Sequence, residues 1–462
     1  MSPTNQVSVV GNKKGFYKKL FAMVIPLAFQ NFMSAAVSAS DAIMLGFLEQ
    51  DALSAVSLAG QITFVFNLFM MILTIGTTML AAQYWGKGDR STVEKILAFA
   101  MKLSAGVGVI FFCATLFVPQ LLMRIFTNDP ILITMGVEYL RVVGLSYLFT
   151  SISQIYLCIM KNSGRTTKST IIGSSAMVLN VIFNSFLIFG LFMFPAMGIA
   201  GAALATVIAR AIEMVWTLIE STKKDSIKLR IKYFLHMEKD LRSDYIKYTL
   251  PVVGNYLVWG CGFTMYSVIM GHLGSDAVAA NSIANIIKNL IICVCSGIGT
   301  AGSILVGNEL GRGKIQEGIE CGKKVTLLAA ISGVCSGVLL LLLSPLILRF
   351  ASLTPEANTY LKGMLLMCSY YMLGKSINST VIGGIFCAGG DAKFGFHCDT
   401  IVMWIIIIPI SLLAAFYWKL PVPVVYFILS MDEFIKLPAV FIHFRKYGWA
   451  EDLTRETDHA TS

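Results

Sequence analysis

The chain has 462 residues, 56% of them hydrophobic and 13% charged. Soluble globular domains carry about 25% charged residues, so an aqueous fold is excluded and the lipid bilayer is the natural solvent. The net charge of +10, from 36 Lys and Arg against 26 Asp and Glu, is not a nucleic-acid signature, because the basic residues collect in alternate loops.

An apolar run of about 18 residues or more is long enough to cross the hydrocarbon core. Twelve such runs are predicted, at 20–47, 53–83, 95–118, 133–160, 168–193, 198–220, 246–271, 277–307, 323–348, 357–387, 398–418 and 422–444. The first is too long for a removed signal peptide and lacks a small-residue cleavage site, so it is expected to be a retained helix. Lys13, Lys14, Lys18 and Lys19 precede it, and further basic groups fall at Lys87 to Lys95, Lys161 to Lys168, Lys223 to Lys247, Arg312 to Lys324, Lys393, and Arg445 with Lys446. The intervening turns hold only Arg124, Arg349 and Lys419. This asymmetry predicts that both termini are cytoplasmic and the number of spans is even. The basic patches then serve topology and contact with anionic lipid, with no nucleic-acid partner. Ten cysteines are scattered, mostly within the spans, with no C-x-x-C and no zinc spacing, and read as packing residues in a reducing setting.

The first span carries Pro26 near its start and Asp41 toward its outer end. A proline inside a helix removes one internal hydrogen bond and permits a bend. A carboxylate at membrane depth costs about 2.5–3.5 kcal/mol on insertion scales, so Asp41 is expected to face the bundle interior, either to be protonated or bind a cation, or as a structural hydrogen-bonding group. Gln154 in the fourth span is a further polar candidate. In the fifth, Asn180 and Asn184 lie one turn apart on a common face, at a depth comparable to that of Asp41. One carboxylate and two amide carbonyls form a hard-oxygen set suited to Na⁺ or to a protonated Asp. Paired asparagines also serve as helix–helix glue. Arg210 and Glu213, at i and i+3, are expected to pair along the sixth span.

A polar segment from Ser221 to about Tyr245 divides six spans from six. It delimits an N-terminal lobe at 1–222, a cytoplasmic linker at 223–245, a C-terminal lobe at 246–445 and a tail at 446–462. The second half echoes the first. Pro26, Gly46, Asp51, Ala52, Ala55, Gly86 and Gly88 recur at a constant offset of 225 as Pro251, Gly271, Asp276, Ala277, Ala280, Gly311 and Gly313. Since six is even, the halves are expected to be parallel repeats. The glycine-rich loops around Gly88 and Gly313 follow no strand and complete no phosphate-binding spacing, so they are expected to be tight turns. Pro251 is a second bending candidate. The position of Asp41 is taken by Tyr266, so the first half is expected to be the ion-sensing lobe. Lys288, Lys375 and Asp399 also sit at apolar depth. Lys375 and Asp399 lie on adjacent spans and are expected to pair. The five histidines are isolated, and nothing suggests a nucleophile–base pair or a metalloenzyme.

Several stretches, in order along nearly the whole chain, resemble the multidrug and toxic compound extrusion family. They are Pro26 through Asp41 to Gly46, Ala81 to Asp89, Asn180 to Asn184, Met197 to Ala203, Leu305 to Gly311, and Gly389 to Asp391. The resemblance implies an all-α integral membrane protein whose twelve transmembrane helices form two six-helix lobes around a central cleft. It implies a multi-pass transporter of the cell membrane, not an enzyme, that exchanges a small organic, often cationic compound for Na⁺ or H⁺ by rocking of the lobes. By motif match, Asp41, Asn180 and Asn184 would be the cation site, and Pro26 the bending point. The expected cofactor set is empty apart from the coupling ion, and the expected working unit is a monomer. Some branches of the family place a second carboxylate where Asn184 stands, and others a Glu in the seventh span, where this chain has Trp259 and no acid between Pro251 and Gly271. The alternative function is a flippase for a lipid-linked oligosaccharide, which would need several inward Arg or Lys to meet a pyrophosphate.

Overall fold

The computed structural model describes residues 13–46, 50–191, 195–235, 238–351 and 353–455. His236 and His459 lie outside the described residues. Among these there is no β-strand, as expected where lipid offers the backbone no hydrogen-bond partner and a helix satisfies every N–H and C=O within itself. The helices are α1 (Lys13–Gly46), α2 (Gln50–Lys87), α3 (Arg90–Phe117), α4 (Pro119–Arg124), α5 (Pro130–Asn162), α6 (Thr166–Phe189), α7 (Gly198–Thr222), α8 (Ile231–Leu235), α9 (Lys239–Gly271), α10 (Ser275–Leu310), α11 (Ile315–Phe350), α12 (Pro355–Thr380), α13 (Ala392–Asp399), α14 (Ile408–Leu412), α15 (Val422–Ser430) and α16 (Asp432–Lys446). Wider π-type turns extend α12 over Val381–Phe386 and link α13 to α14 and beyond, over Thr400–Ile407 and Leu413–Tyr417.

Ten helical segments among the described residues are long and apolar enough to cross a bilayer. The two remaining crossings are α12 with its π extension and the α15–α16 pair. Both are diluted by charge: Lys362 and Lys375 in the first, Asp432, Glu433 and Lys436 in the second. The last span, expected as one run over 422–444, turns at Met431, between α15 and α16. The first helix of the second half starts at Lys239, before the apolar run at 246, because its opening turns are polar.

The chain packs into two compact units. The N-unit comprises residues 32–81 and 89–245; the C-unit comprises 13–31, 82–88 and 246–455 among the described residues. Within the N-unit, the polar segment after α7 is tied down. Tyr156 donates to Ile227 O at 2.9 Å, and Glu94 holds both Arg230 Nε at 2.8 Å and the Lys228 backbone N–H at 3.2 Å.

In the C-unit the repeat becomes a physical contact. The ends of α2 and α10 meet so closely that a Cβ added to Gly86 would lie 2.1 Å from Asn308 O, and one added to Gly311 would lie 2.0 Å from Gln83 O. Gly86 and Gly311 are repeat mates, and so are Gln83 and Asn308. Only glycine allows backbones this near. Beyond these contacts the chain turns through Gly88 at φ 87° and Gly313 at φ 73°, a left-handed conformation that glycine adopts without strain. Asp89 then caps α3, accepting from Thr92 N at 3.0 Å.

The end of α2 is also held by the residues that follow α16. Gln83 Nε2 donates to Ala388 O at 2.7 Å and to Glu451 O at 3.0 Å, while its Oε1 accepts from Leu453 N at 2.6 Å. Arg455 N donates to Tyr84 Oη at 3.2 Å. Trp449 is fully buried; its indole stacks on Phe444 at 5.5 Å and donates to Phe444 O at 3.1 Å. Gly389 makes room for this strap, since a Cβ there would fall 1.6 Å from Trp449 O.

Candidate functional site

In the N-unit, α1 brings Asp41 against α6. Asn184 Nδ2 donates to Asp41 Oδ1 at 2.7 Å and lies 3.5 Å from Asn180 Oδ1, and Asn180 Nδ2 donates to Thr206 Oγ1 of α7 at 3.2 Å. The i, i+4 spacing in α6 stacks the two amides, so that one helix relays hydrogen bonds from α7 to α1. Asn184 is 1% exposed, and its Oδ1 is buried without a hydrogen-bond partner. A buried acceptor left empty costs about 1–3 kcal/mol. Here it adjoins a carboxylate, and together they offer the hard oxygens that a proton or a small cation would satisfy.

Asp41 and Asn184 line a cavity of about 290 Å³ with Ser38, Asn67, Tyr139 and Thr206, the rest of its wall being mainly apolar. A few polar groups set in an apolar wall characterise small-molecule sites. The structure thus brings Asp41, Asn180 and Asn184 together. It sets Gln154 apart: its amide donates to Glu213 Oε1 at 3.3 Å, beside Ser153 at 2.6 Å and Arg210, which reaches Glu213 Oε2 at 2.6 Å. Gln154 belongs to that structural network and does not line the cavity. Thr206, Tyr139 and Asn67 are site residues that sequence reasoning missed, since a hydroxyl or a single amide in a helix carries little signal.

In the C-unit the expected Lys375–Asp399 pair does not form. Lys375 Nζ instead meets Glu433 Oε1 at 3.0 Å, and Asp399 Oδ1 meets Lys436 Nζ at 2.7 Å, both new partners coming from α16. Asn255 Nδ2 donates to Asp399 Oδ2 at 2.8 Å, and Asn378 Nδ2 to Glu433 Oε2 at 2.8 Å. Lys436 also faces Asp432 at 3.8 Å. Each carboxylate faces a lysine, which is what allows such a cluster to be buried, while Asp432 Oδ1 is left without a hydrogen-bond partner. The missed acids and lysine form a D-E-x-x-K run in an apolar segment, the same signal that singled out Asp41. Lys288 enters no ion pair among the described residues and sits instead over the rings of Tyr371 at 5.0 Å and Phe263 at 5.9 Å. Pro26 and Pro251 both lie inside continuous helices, α1 and α9. No group of three His, Cys, Asp or Glu is arranged to hold a metal ion among the described residues.

A family model described as MatE matches residues 26–186 and again residues 251–415. The chain belongs to the MatE family. The two matches begin at Pro26 and Pro251, the first pair of the internal repeat. Among its relatives, the uncharacterized transporter YisQ of Bacillus subtilis is 22% identical over 433 residues, covering 94% of this chain and 95% of the relative. The probable multidrug resistance protein NorM of Thermotoga maritima is 23% identical over 404 residues, covering 87% and 86%. A solved structure described as the outward-facing conformation of a multidrug resistance MATE family transporter superposes with a TM-score of 0.86 at 16% identity, covering 96% of this chain and 98% of that one. This likeness establishes the fold, a two-lobed, twelve-span membrane protein.

Proposed function

We propose that this chain is a secondary antiporter of the cell membrane that extrudes small organic compounds in exchange for Na⁺ or H⁺. Relatives bearing the names of multidrug resistance proteins support the extrusion of drugs. The observation that carries the coupling is the Asp41–Asn184 contact at the wall of the N-unit cavity, with the Asn184 carbonyl oxygen left unpartnered. A proton or Na⁺ arriving there neutralises the carboxylate and fills the vacant acceptor. The two compact units are the bodies that rock, and the ion drives the motion only to the extent that it binds one state more tightly than the other. Both termini face the cytoplasm, in keeping with the basic loops.

The test is ethidium efflux from proteoliposomes with the Na⁺ and pH gradients imposed separately. One gradient should drive export in the wild type, and Asp41→Asn should lose the driven component while inserting normally. Undiminished driven export in Asp41→Asn would remove Asp41 from the mechanism. The flippase reading is weakened by the C-unit, because Lys375 and Lys436 are committed to carboxylates and do not form a cluster free to bind a pyrophosphate.

A further inference from the structure

Lys288 is a half-buried basic residue of the C-unit spans with no hydrogen bond or ion pair among the described residues. It lies in α10 at membrane depth, where an ammonium is costly and calls for a partner. Of the neighbouring carboxylates, Glu433 is held by Lys375 and Asn378, Asp399 by Lys436 and Asn255, and Asp432, whose Oδ1 is buried without a hydrogen-bond partner, faces Lys436 at 3.8 Å; none forms an ion pair with Lys288. What surrounds Lys288 is aromatic. Tyr371 of α12 and Phe263 of α9 present ring faces to its Nζ. Phe263 in turn stacks on Trp259 at 5.8 Å and 17°, and Trp259 lies beneath Lys375 at 5.3 Å. Phe263 and Trp259 are half-buried, as are Tyr371 and both lysines. A ring face attracts an ammonium, with about 0.5–2 kcal/mol per contact, but it fills none of the three N–H donors as an acceptor oxygen would.

A cation held by ring faces, with its donors free and flat apolar surfaces beside it, has the composition of a receptor for a flat organic anion. We propose that Lys288, with Trp259, Phe263 and Tyr371, forms a binding subsite of the C-unit for an aromatic carboxylate or a similar singly charged aromatic anion. The anionic head meets the Lys288 ammonium in a charge-assisted hydrogen bond, and the ring of the ligand packs against the stacked pair. One lysine suits a single negative charge. The inference deepens the export reading above by naming a substrate class, and it rests on that reading only for the fate of the bound compound. The N-unit cavity then presents a carboxylate and the C-unit subsite an ammonium.

Calorimetric titration of the full detergent-purified chain with naphthalene carboxylate, set against the isosteric neutral naphthalene carboxamide, tests this directly. The wild type should bind the carboxylate at least about tenfold more tightly than the carboxamide, the scale of one charge-assisted contact. Lys288→Met should erase that difference, and Lys288→Arg should restore it. A thermal melt accompanies each variant. Losing an unpaired ammonium should leave the midpoint of Lys288→Met unchanged or raise it. Equal affinity for the two ligands in the wild type, an unchanged preference in Lys288→Met, or a preference lost together with a lowered midpoint would overturn the assignment. Ethidium efflux in proteoliposomes reports separately on ion-driven export, so failure of the antiport reading leaves this binding result standing, and the reverse also holds.

Discussion

Replacing Gly311 with alanine tests whether the crossing of α2 and α10 is as tight as described. The new methyl would lie 2.0 Å from Gln83 O and 2.4 Å from the carbon of that carbonyl, where ordinary contact begins at 3.4 Å. Its neighbour is backbone and cannot rotate away, so the helix ends must part by about 1.4 Å at that point. A gap of 0.5–1 Å already forfeits about a quarter to a half of the dispersion energy of the contacts it opens, and overpacking of this kind costs about 1–3 kcal/mol. The backbone itself raises no objection, because Gly311 sits at φ −67° and ψ −12°, open to any residue. Gly106, within α3, is the control: an added Cβ there meets nothing within 4 Å. Gly106→Ala should be neutral or stabilise by about 0.4–1 kcal/mol through the unfolded chain. The assay is the thermal midpoint of the detergent-purified protein, read from the monodisperse fraction surviving a temperature series. Gly311→Ala should fall below the wild type and Gly106→Ala should not. A Gly311→Ala midpoint equal to that of Gly106→Ala would show that the crossing is looser than the described contact and refute the reasoning.

Lys436→Met removes the ammonium facing Asp399 and Asp432, stranding buried carboxylates at a cost of about 3–5 kcal/mol; adding Asp399→Asn should recover part of it in the same melt. Trp449→Ala empties a fully buried site and should cost about 3–5 kcal/mol, with early trypsin cleavage at Arg455 or Arg445 as the visible sign, whereas Trp449→Phe should retain most of the stability. Asn184→Ala deletes the 2.7 Å hydrogen bond to Asp41 and should reduce gradient-driven ethidium efflux in proteoliposomes while leaving passive leak unaltered; full driven efflux would show that the amide is not part of ion binding.

Much of the architecture was legible because lipid simplifies the code. Length and hydropathy alone mark a span, so the helices of both halves stood out, and the constant offset of 225 between Pro26 to Gly88 and Pro251 to Gly313 announced the repeat. Asp41, Asn180 and Asn184 were legible for a related reason, since polar groups at membrane depth demand partners and the i, i+4 spacing fixes a shared face. The failures came where pairing had to be chosen among several charges. Adjacency along the chain suggested Lys375 with Asp399, but packing brought α16 between them, and sequence order carries no information about which non-neighbouring helix fills a gap. Gln154 was read by depth alone, which says nothing about the direction a side chain faces. The strap after α16 was invisible because a few polar residues beyond the last span look like an ordinary tail, and only the packing of Trp449 on Phe444 and the contacts of Glu451 and Leu453 with Gln83 give it importance.

That strap has a consequence for the order in which the molecule is made. Gln83 lies near the end of α2, yet its hydrogen bonds to Glu451 and Leu453 join positions 368 and 370 residues apart. Its third hydrogen bond, to Ala388 O, spans 305 residues, so none of the three can form until most of the second half of the chain has been made. Contacts of such sequence separation carry the largest loop-closure cost and form last. A chain cut before Trp449 would lose the hydrogen bonds of Gln83 with Glu451 and Leu453 and the segment that Gly389 makes room for, so Gln83 would keep only its bond to Ala388 O.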